Sequence, residues 1–574
     1  MKNYAGKYGK YLILCPVSMI GEVAMETTIP MMTANLIKYA IPHSQETGDI
    51  SQVLLYGGLM VLMAFASMGF GILGSYLSSK GAFGFSHNLR QALFARVQKF
   101  SFKNIDRFST ASLVTRLTTD VNQVQGTVMM VVRMAVRSPI MFVMALFMAL
   151  QLQPSLVTIL AIAIPILAAA IVIIMRMAFP RFQVMMKKYD KLNSSVQENL
   201  IAIRVVKAFV RAGYEKEKFT VSTDDVTASQ RAAEKVVLWN GPIMTILMNA
   251  CIVAVLWFGG QRIIGGQMDY GDLTAFITYI TQILMSLMML SFLFIGLVLS
   301  RASISRISEV LEEEPDIASP DKALKTVADG SIDFNHVNFS YQGDPKNLVL
   351  TDIDLHIRSG ETIGVIGGTG SAKTTLVSLI PRLYDVTGGK LLVGGRDVRE
   401  YDIHALRDQV AMVLQKNVLF SGTIKENLRW GDENATDEEI AAACKAAAAD
   451  DFIRSFPDGY DTDLGQGGVN VSGGQKQRLC IARALLKKPK IMILDDATSA
   501  VDTATDARIR EALRTQMPET TKIIIAQRIT SVMEADHIVV LDEGRVMDYG
   551  THDELMERSE IYREVYLSQQ KGVA

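Results

Sequence analysis

Cysteine is scarce in this chain, and so is net charge. Four cysteines, Cys15, Cys251, Cys444 and Cys480, stand in 574 residues, none at a CxxC or metal-like spacing. That argues against a disulfide scaffold or a zinc site and fits free thiols in a reducing compartment. Lysine and arginine number 58 against 59 aspartates and glutamates, a formal net charge of −1. No bulk positive field is available to hold a nucleic acid. The opening MKNYAGKYGK leads into an apolar run that lacks the small-residue cleavage site of a secretory signal. The run therefore reads as a retained first membrane span.

Apolar residues are abundant, at 49% of the chain, and they concentrate in its first 300 residues. A span needs about 20 mainly apolar residues at about 1.5 Å rise each. Six stretches qualify: roughly 11–38, 51–80, 129–152, 154–177, 236–259 and 273–299. Only QLQP separates the third from the fourth, which predicts a tight hairpin. The connecting segments 81–128 and 178–235 are long and basic, with Arg90, Arg96, Lys99, Lys103, Lys187 and Lys188. The other connections are short and almost free of positive charge. By the positive-inside rule the long segments and both termini are cytoplasmic. Helical patterning predicts that the spans continue well beyond the bilayer as two long hairpins.

Glu22 and Glu26 lie one helical turn apart within the first span. Ionisable groups at membrane depth are costly, and two readings stand open. The pair faces a cavity and attracts cationic substrates, or it is paired with another helix or lies near an interface. Arg133 and Arg137 share a helix face near the inner leaflet, where snorkelling accounts for them. Met285, Met288 and Met289 of the sixth span read first as gap-fillers between helices.

Beyond an acidic connector, the pattern from Ser331 onward alternates short strands and helices, the sign of an α/β domain. The strand TIGVIG (362–367) runs into GTGSAKTT and then a helix, which is the setting a phosphate-binding loop requires. Backbone N–H groups there wrap phosphates, Lys373 reaches the β and γ oxygens, and the Thr374 hydroxyl is placed to ligate Mg²⁺. Ala372 stands where the pattern asks for glycine. A small residue tolerating the right-handed conformation of a helix start is expected there. IMILDD (491–496) is an apolar strand ending in acids, with Asp495 able to hold the metal through water. VSGGQKQR (471–478) opens a second helix at glycines that suit an anion. A second anion-binding helix start makes sense if it closes over the nucleotide of a neighbouring domain.

With these motifs in order, the chain resembles a half-transporter of the ABC exporter family over essentially its full length. The resemblance implies a multidomain membrane protein, in which an all-α six-helix transmembrane domain (1–305) precedes a linker (306–330) and an α/β P-loop ABC ATPase domain (331–574). It implies that Tyr341 stacks on adenine. Gly367, Gly368, Thr369, Gly370, Ser371, Ala372, Lys373, Thr374 and Thr375 match the Walker A loop, and Asp495 the Walker B aspartate. Gln415 matches the glutamine that senses Mg²⁺ and couples to the membrane domain. Ser472, Gly473, Gly474 and Gln475 match the signature motif. Residues 105–121 and 193–209 resemble the family's two coupling regions. The implied cofactors are ATP and Mg²⁺, with Thr374, Gln415 and Asp495 around the metal.

Two further residues depart from the family pattern. Asp496 stands where the water-orienting glutamate is usual, and Gln527 where the switch histidine is usual. Misplacing a water-orienting carboxylate by about 1 Å lowers the rate by about 10²-fold, and an amide cannot reproduce the charge behaviour of imidazole. Read as two independent losses beside an intact signature, they resemble the degenerate-site chain of a heterodimeric exporter. The expected partners are a second half-transporter, the lipid bilayer and a small amphipathic substrate of multidrug type, in the plasma membrane. A homodimeric lipid flippase and a regulatory or gating subunit are the alternatives.

Overall fold

The computed structural model describes residues 4–571, apart from the side chains of Ile295, Leu299 and Lys571. The chain divides into two units: Met1–Gln98 with Thr110–Glu312, and Lys99–Ser109 with Glu313–Ala574.

Among the described residues, six helices of the first unit are long and apolar enough to cross a membrane: Gly6–Thr47, Ser51–Val97, Thr110–Leu152, Val157–Ile201, Ala212–Ile264 and Tyr270–Glu312. A hydrocarbon core about 30 Å thick takes up about 20 residues of helix, so helices of 42 to 53 residues extend far past it. Lipid offers the backbone no hydrogen-bond partner, and a helix satisfies its own. Gly9–Asn35 lies along Ser51–Val97, with Val121–Leu152 and Tyr270–Glu312 against it. Val157–Ile201 pairs instead with Ala212–Leu238 and Asn240–Ile264. Between helices the side chains are small or interdigitating, as at Ala145, Ala149, Ala163, Phe276 and Ile280. Large apolar side chains such as Leu62, Phe65, Ile162 and Val253 stand exposed, which suits lipid contact.

Several polar groups of this unit are paired. At a π-helical turn, Arg116–Asp120, the Asp120 carboxylate is 1% exposed. Arg306 grips both its oxygens, Nε at 2.8 Å and Nη2 at 2.5 Å. Arg137 departs from the snorkelling expected of it. Its guanidinium turns inward and bridges both acids of the first span, Nε to Glu22 Oε1 at 3.2 Å and Nη2 to Glu26 Oε2 at 2.8 Å. A carboxylate pair within an apolar helix outweighs the pull of an interface on a flexible side chain.

The second unit holds a four-stranded antiparallel sheet and a six-stranded, mostly parallel one. The strands are β1 (Ile332–Phe339), β2 (Leu350–Ile357), β3 (Thr362–Ile366), β4 (Gly388–Val393), β5 (Arg396–Asp397), β6 (Val410–Val413), β7 (Gly422–Thr423), β8 (Asp463–Leu464), β9 (Ile491–Asp495), β10 (Thr521–Ile525), β11 (His537–Asp542) and β12 (Arg545–Gly550). The larger sheet runs β12-β11-β3-β10-β9-β6, with only β12 antiparallel. β9 and β10 are buried along their whole length, which explains their nearly unbroken apolar runs. One apolar core fills the space between the sheets, around Ile332, Phe334, Ile363, Leu376 and Ile493.

The helix Phe102–Phe108 belongs to this unit, although it falls between two spans in sequence. Ser101 caps it. Tyr384 Oη donates to Asp106 Oδ2 at 2.8 Å, and Asn104 Nδ2 to Glu313 Oε1 at 2.8 Å. In the second segment expected to resemble a coupling region, the helix Ile203–Ala208 lies in the first unit, with Val205 and Phe209 exposed.

Candidate nucleotide-binding and hydrolysis site

The order of the parallel strands assembles the site. β3, β10, β9 and β6 are neighbours, so the segments leaving their carboxyl ends meet on one edge of the sheet, as ligand sites in open α/β sheets do. β3 delivers the loop from Gly367, β10 delivers Gln527, β9 ends in Asp495 with Asp496 behind it, and β6 leads to Gln415.

Gly367 cannot carry a side chain, because a Cβ there would come within 2.0 Å of the Leu541 carbonyl oxygen. Gly368, Thr369 and Gly370 are exposed, while Ser371 and Thr375 are buried beneath them. The Lys373 ammonium folds back on its own loop, donating to Gly367 O at 2.9 Å, Gly368 O at 2.7 Å and Ser371 Oγ at 3.2 Å. Burial lowers its pKa, and Asp495 and Asp496 oppose that shift. A desolvated ammonium held by neutral oxygens gains when anionic phosphate oxygens replace them.

Ala372 overturns one expectation. Its backbone is left-handed, at φ 71° and ψ 24°, and not right-handed. The helix Lys373–Ser378 starts directly after it. That turn of the chain is why the motif asks for glycine, since a Cβ in this region costs roughly 1–2 kcal/mol.

Thr374 Oγ1 donates to Asp495 Oδ2 at 2.8 Å, so two hard oxygen donors stand side by side at the loop. Mg²⁺ binds through one or two protein oxygens, waters and phosphate oxygens, and this donor pair fits it. Burial raises the Asp495 pKa, helped by Asp496 and opposed by Thr374 and Lys373. Asp496 is 9% exposed. Burial raises its pKa too, against hydrogen bonds from Gln527, Gln415 and Ser499. Gln527 Nε2 donates to Asp496 Oδ2 at 2.8 Å. Tyr341 is held edge-on to Phe339 and Tyr384, its hydroxyl 2.9 Å from Thr375 Oγ1, with the residue 42% exposed and its ring open to stacking.

The structure therefore gathers Tyr341, Gly367 to Thr375, Gln415, Asp495, Asp496 and Gln527. It does not bring the signature to them. Ser472 caps the helix Gly473–Leu486, and Ser472 and Gln475 hydrogen-bond each other at 2.8 and 3.3 Å. Glu22 and Glu26 belong to the first unit and have no part in this site.

Two contributors escape a reading of the sequence. Gln477 donates to Ser499 Oγ at 3.1 Å and accepts from Ala500 N at 3.0 Å, tying the signature helix to the segment after Asp496. Its place inside VSGGQKQR was the available signal. Gln569, from the helix Glu560–Lys571, brackets the switch loop by donating to Gln527 O at 2.8 Å and accepting from Ile529 N at 2.9 Å. No local pattern marks it.

Comparison with known proteins agrees with this architecture. The family model described as ABC transporter transmembrane region matches residues 12–287, and the model described as ABC transporter matches 350–499. The uncharacterized ABC transporter ATP-binding protein YfiB of Bacillus subtilis is 38% identical over 572 residues, covering 99% of this chain and 97% of that protein. The chain belongs to the ABC transporter family. An ATP-dependent lipid A-core flippase of Syntrophus aciditrophicus is 33% identical over 488 residues, 84% of this exporter and 80% of the flippase. The solved structure of a bacterial Atm1-family ABC exporter with ATP bound superposes with a TM-score of 0.81 at 24% identity, covering 96% of this chain and 98% of that one. The exporter is thus a multi-pass membrane ATPase that binds ATP and drives transport, with an α-helical membrane region followed by an ABC ATPase domain.

Proposed function

We propose that this exporter is one half of a heterodimer, moving small amphipathic compounds out of the cell and contributing a degenerate ATP site. The observation that carries the reading is the pair Asp496 and Gln527. The carboxylate that should polarise water is one methylene short, and an amide is bonded to it where an imidazole is usual. In the proposed pair, Tyr341, Lys373, Thr374 and Asp495 bind one ATP, while Ser472, Gly473, Gly474 and Gln475 complete the partner's competent site. The free N–H groups of a capped, glycine-rich helix start suit a γ-phosphate arriving from another chain. Thr374 and Asp495, with Gln415 beside them, would hold Mg²⁺, which would supply charge neutralisation on the β- and γ-phosphates. In this reading the termini and the ATPase domain lie on the cytoplasmic side, which the basic segments 81–128 and 178–235 support. Residues 1–305 serve as the membrane domain and 331–574 as the ATPase domain.

A second reading, a homodimeric lipid exporter, draws on the flippase among the relatives. ATP hydrolysis in lipid separates the two. Turnover only with a second half-transporter, abolished by removing the partner's catalytic glutamate but merely reduced by Asp496→Asn, supports the heterodimer. Robust turnover by this chain alone sinks it and leaves the homodimer.

A further inference from the structure

The polar cluster inside the membrane unit is incompletely satisfied, and the deficit has one sign. Arg137 neutralises one of two carboxylates, so Glu22, Glu26 and Arg137 together carry one net negative charge. Glu22 Oε1 and Glu26 Oε2 take the guanidinium, and Nη1 points at the Met289 sulfur at 3.9 Å. Glu22 Oε2 and Gln282 Oε1 are both shielded from solvent and have no hydrogen-bond partner. The orientation of the Gln282 amide is set by its nitrogen, which faces the Glu26 carbonyl oxygen at 3.5 Å. Both orphans are therefore acceptors. Buried polar atoms are almost always paired, so two unpaired acceptors beside this carboxylate pair need an explanation.

Gly71 lies against the Glu22 carboxylate, where a Cβ would stand in ordinary contact, 3.4–3.6 Å from its atoms. Glu26 keeps 35% of its side chain exposed against 12% for Glu22, so the cluster is more accessible on the Glu26 side. Met289 adds a polarisable wall that accepts apolar groups of varied shape.

We infer that Glu22, Glu26 and Gln282 form a recognition site for a primary ammonium group carried on an apolar body. An ammonium supplies one positive charge and three N–H donors without an acceptor, which matches a site of net charge −1 with two unpaired acceptors. An anionic head would meet Glu22 and Glu26, and a quaternary ammonium would supply the charge but no donor. This inference rests on the export reading above and names the substrate class within it.

The test uses the full-length chain in lipid nanodiscs without nucleotide, titrated with three probes sharing one fluorophore. They are dansylcadaverine, its trimethylammonium analogue, and dansyl-6-aminohexanoate. Dansylcadaverine is expected to bind about tenfold more tightly than the quaternary analogue, and the carboxylate not measurably. Glu22→Gln should weaken dansylcadaverine about tenfold and Gln282→Leu about threefold, each after the variant is shown to elute and fold as the parent does. Gln282→Leu leaves the ion pairs intact, so it reads recognition even if Glu22→Gln fails to fold. Equal binding of the primary and quaternary amines, indifference to Gln282→Leu, or no binding of the amine overturns the inference. Since no ATP is hydrolysed in this assay, failure of the heterodimer reading would appear only in turnover and leave these titrations unchanged.

Discussion

Gln527 Nε2 donates to Asp496 Oδ2 across 2.8 Å, so two of the residues that depart from the family pattern form one hydrogen-bonded unit. Read along the sequence they count as two independent losses. In the folded chain they sit at the ends of neighbouring strands β9 and β10, and one compensates the other. On the proposed reading, the amide satisfies a carboxylate one methylene shorter than the usual glutamate and competes with water for its Oδ2.

Restoring the family residues should therefore act cooperatively. Asp496→Glu alone and Gln527→His alone are each expected to raise hydrolysis at this site less than tenfold. Together they should approach the roughly 10²-fold that carboxylate placement is worth. Directly bonded groups give non-additive mutants, and single-turnover ATP hydrolysis in all four forms measures the interaction. Strict additivity would argue that the pair is not a unit.

Ala372→Gly removes a Cβ from a left-handed backbone. Relief of roughly 1–2 kcal/mol of strain is offset in part by about 0.5–1 kcal/mol of glycine entropy. The expected net gain is about 0.5–1 kcal/mol, seen as a small rise in Tm. A fall in Tm would mean that the loop is not held in the conformation described.

Asp495 has a pKa raised mainly by burial. For a carboxylate raised on folding, the stabilising protonated form is present below the unfolded pKa and is lost as pH rises through the folded one. Asp495→Asn should consequently raise the Tm at neutral pH. That advantage should shrink as pH falls from above the folded pKa towards about 4, the ordinary carboxylate value. Thermal unfolding of both forms across that window checks the sign, and a constant difference would contradict it.

Arg306→Ala leaves the Asp120 carboxylate buried without its bidentate partner. Arg306 is 45% exposed and Asp120 1%, so the cost is that of leaving one buried acceptor group unsatisfied, about 1–3 kcal/mol. Adding Asp120→Asn should return a good part of it, because the uncompensated charge goes with it. Denaturation in detergent of the single and double variants reads both steps.

Much of this protein can be read directly from its residues. The phosphate loop is local: a strand, a glycine-rich turn and a helix start are adjacent along the chain, and their chemistry needs no distant partner. The spans are equally local, since a bilayer imposes a length on any helix that crosses it. Lys373, Thr374, Asp495 and Gln527 were legible because motif order and strand pattern placed them at strand ends. The handedness of Ala372 was not, because a motif names residue types and not dihedral angles.

What the sequence by itself determined is the set of elements and the kind of chemistry each can host. What only the tertiary structure decided is which side chains share a site. Arg137 lies 115 residues from Glu22 along the chain and Gln569 lies 42 from Gln527, and no periodicity links either pair. The ion pair forms because low dielectric makes an unpartnered charge too costly to leave alone. The bond between Asp496 and Gln527 forms because β9 and β10 are neighbours in a sheet whose order is set by packing its two apolar faces.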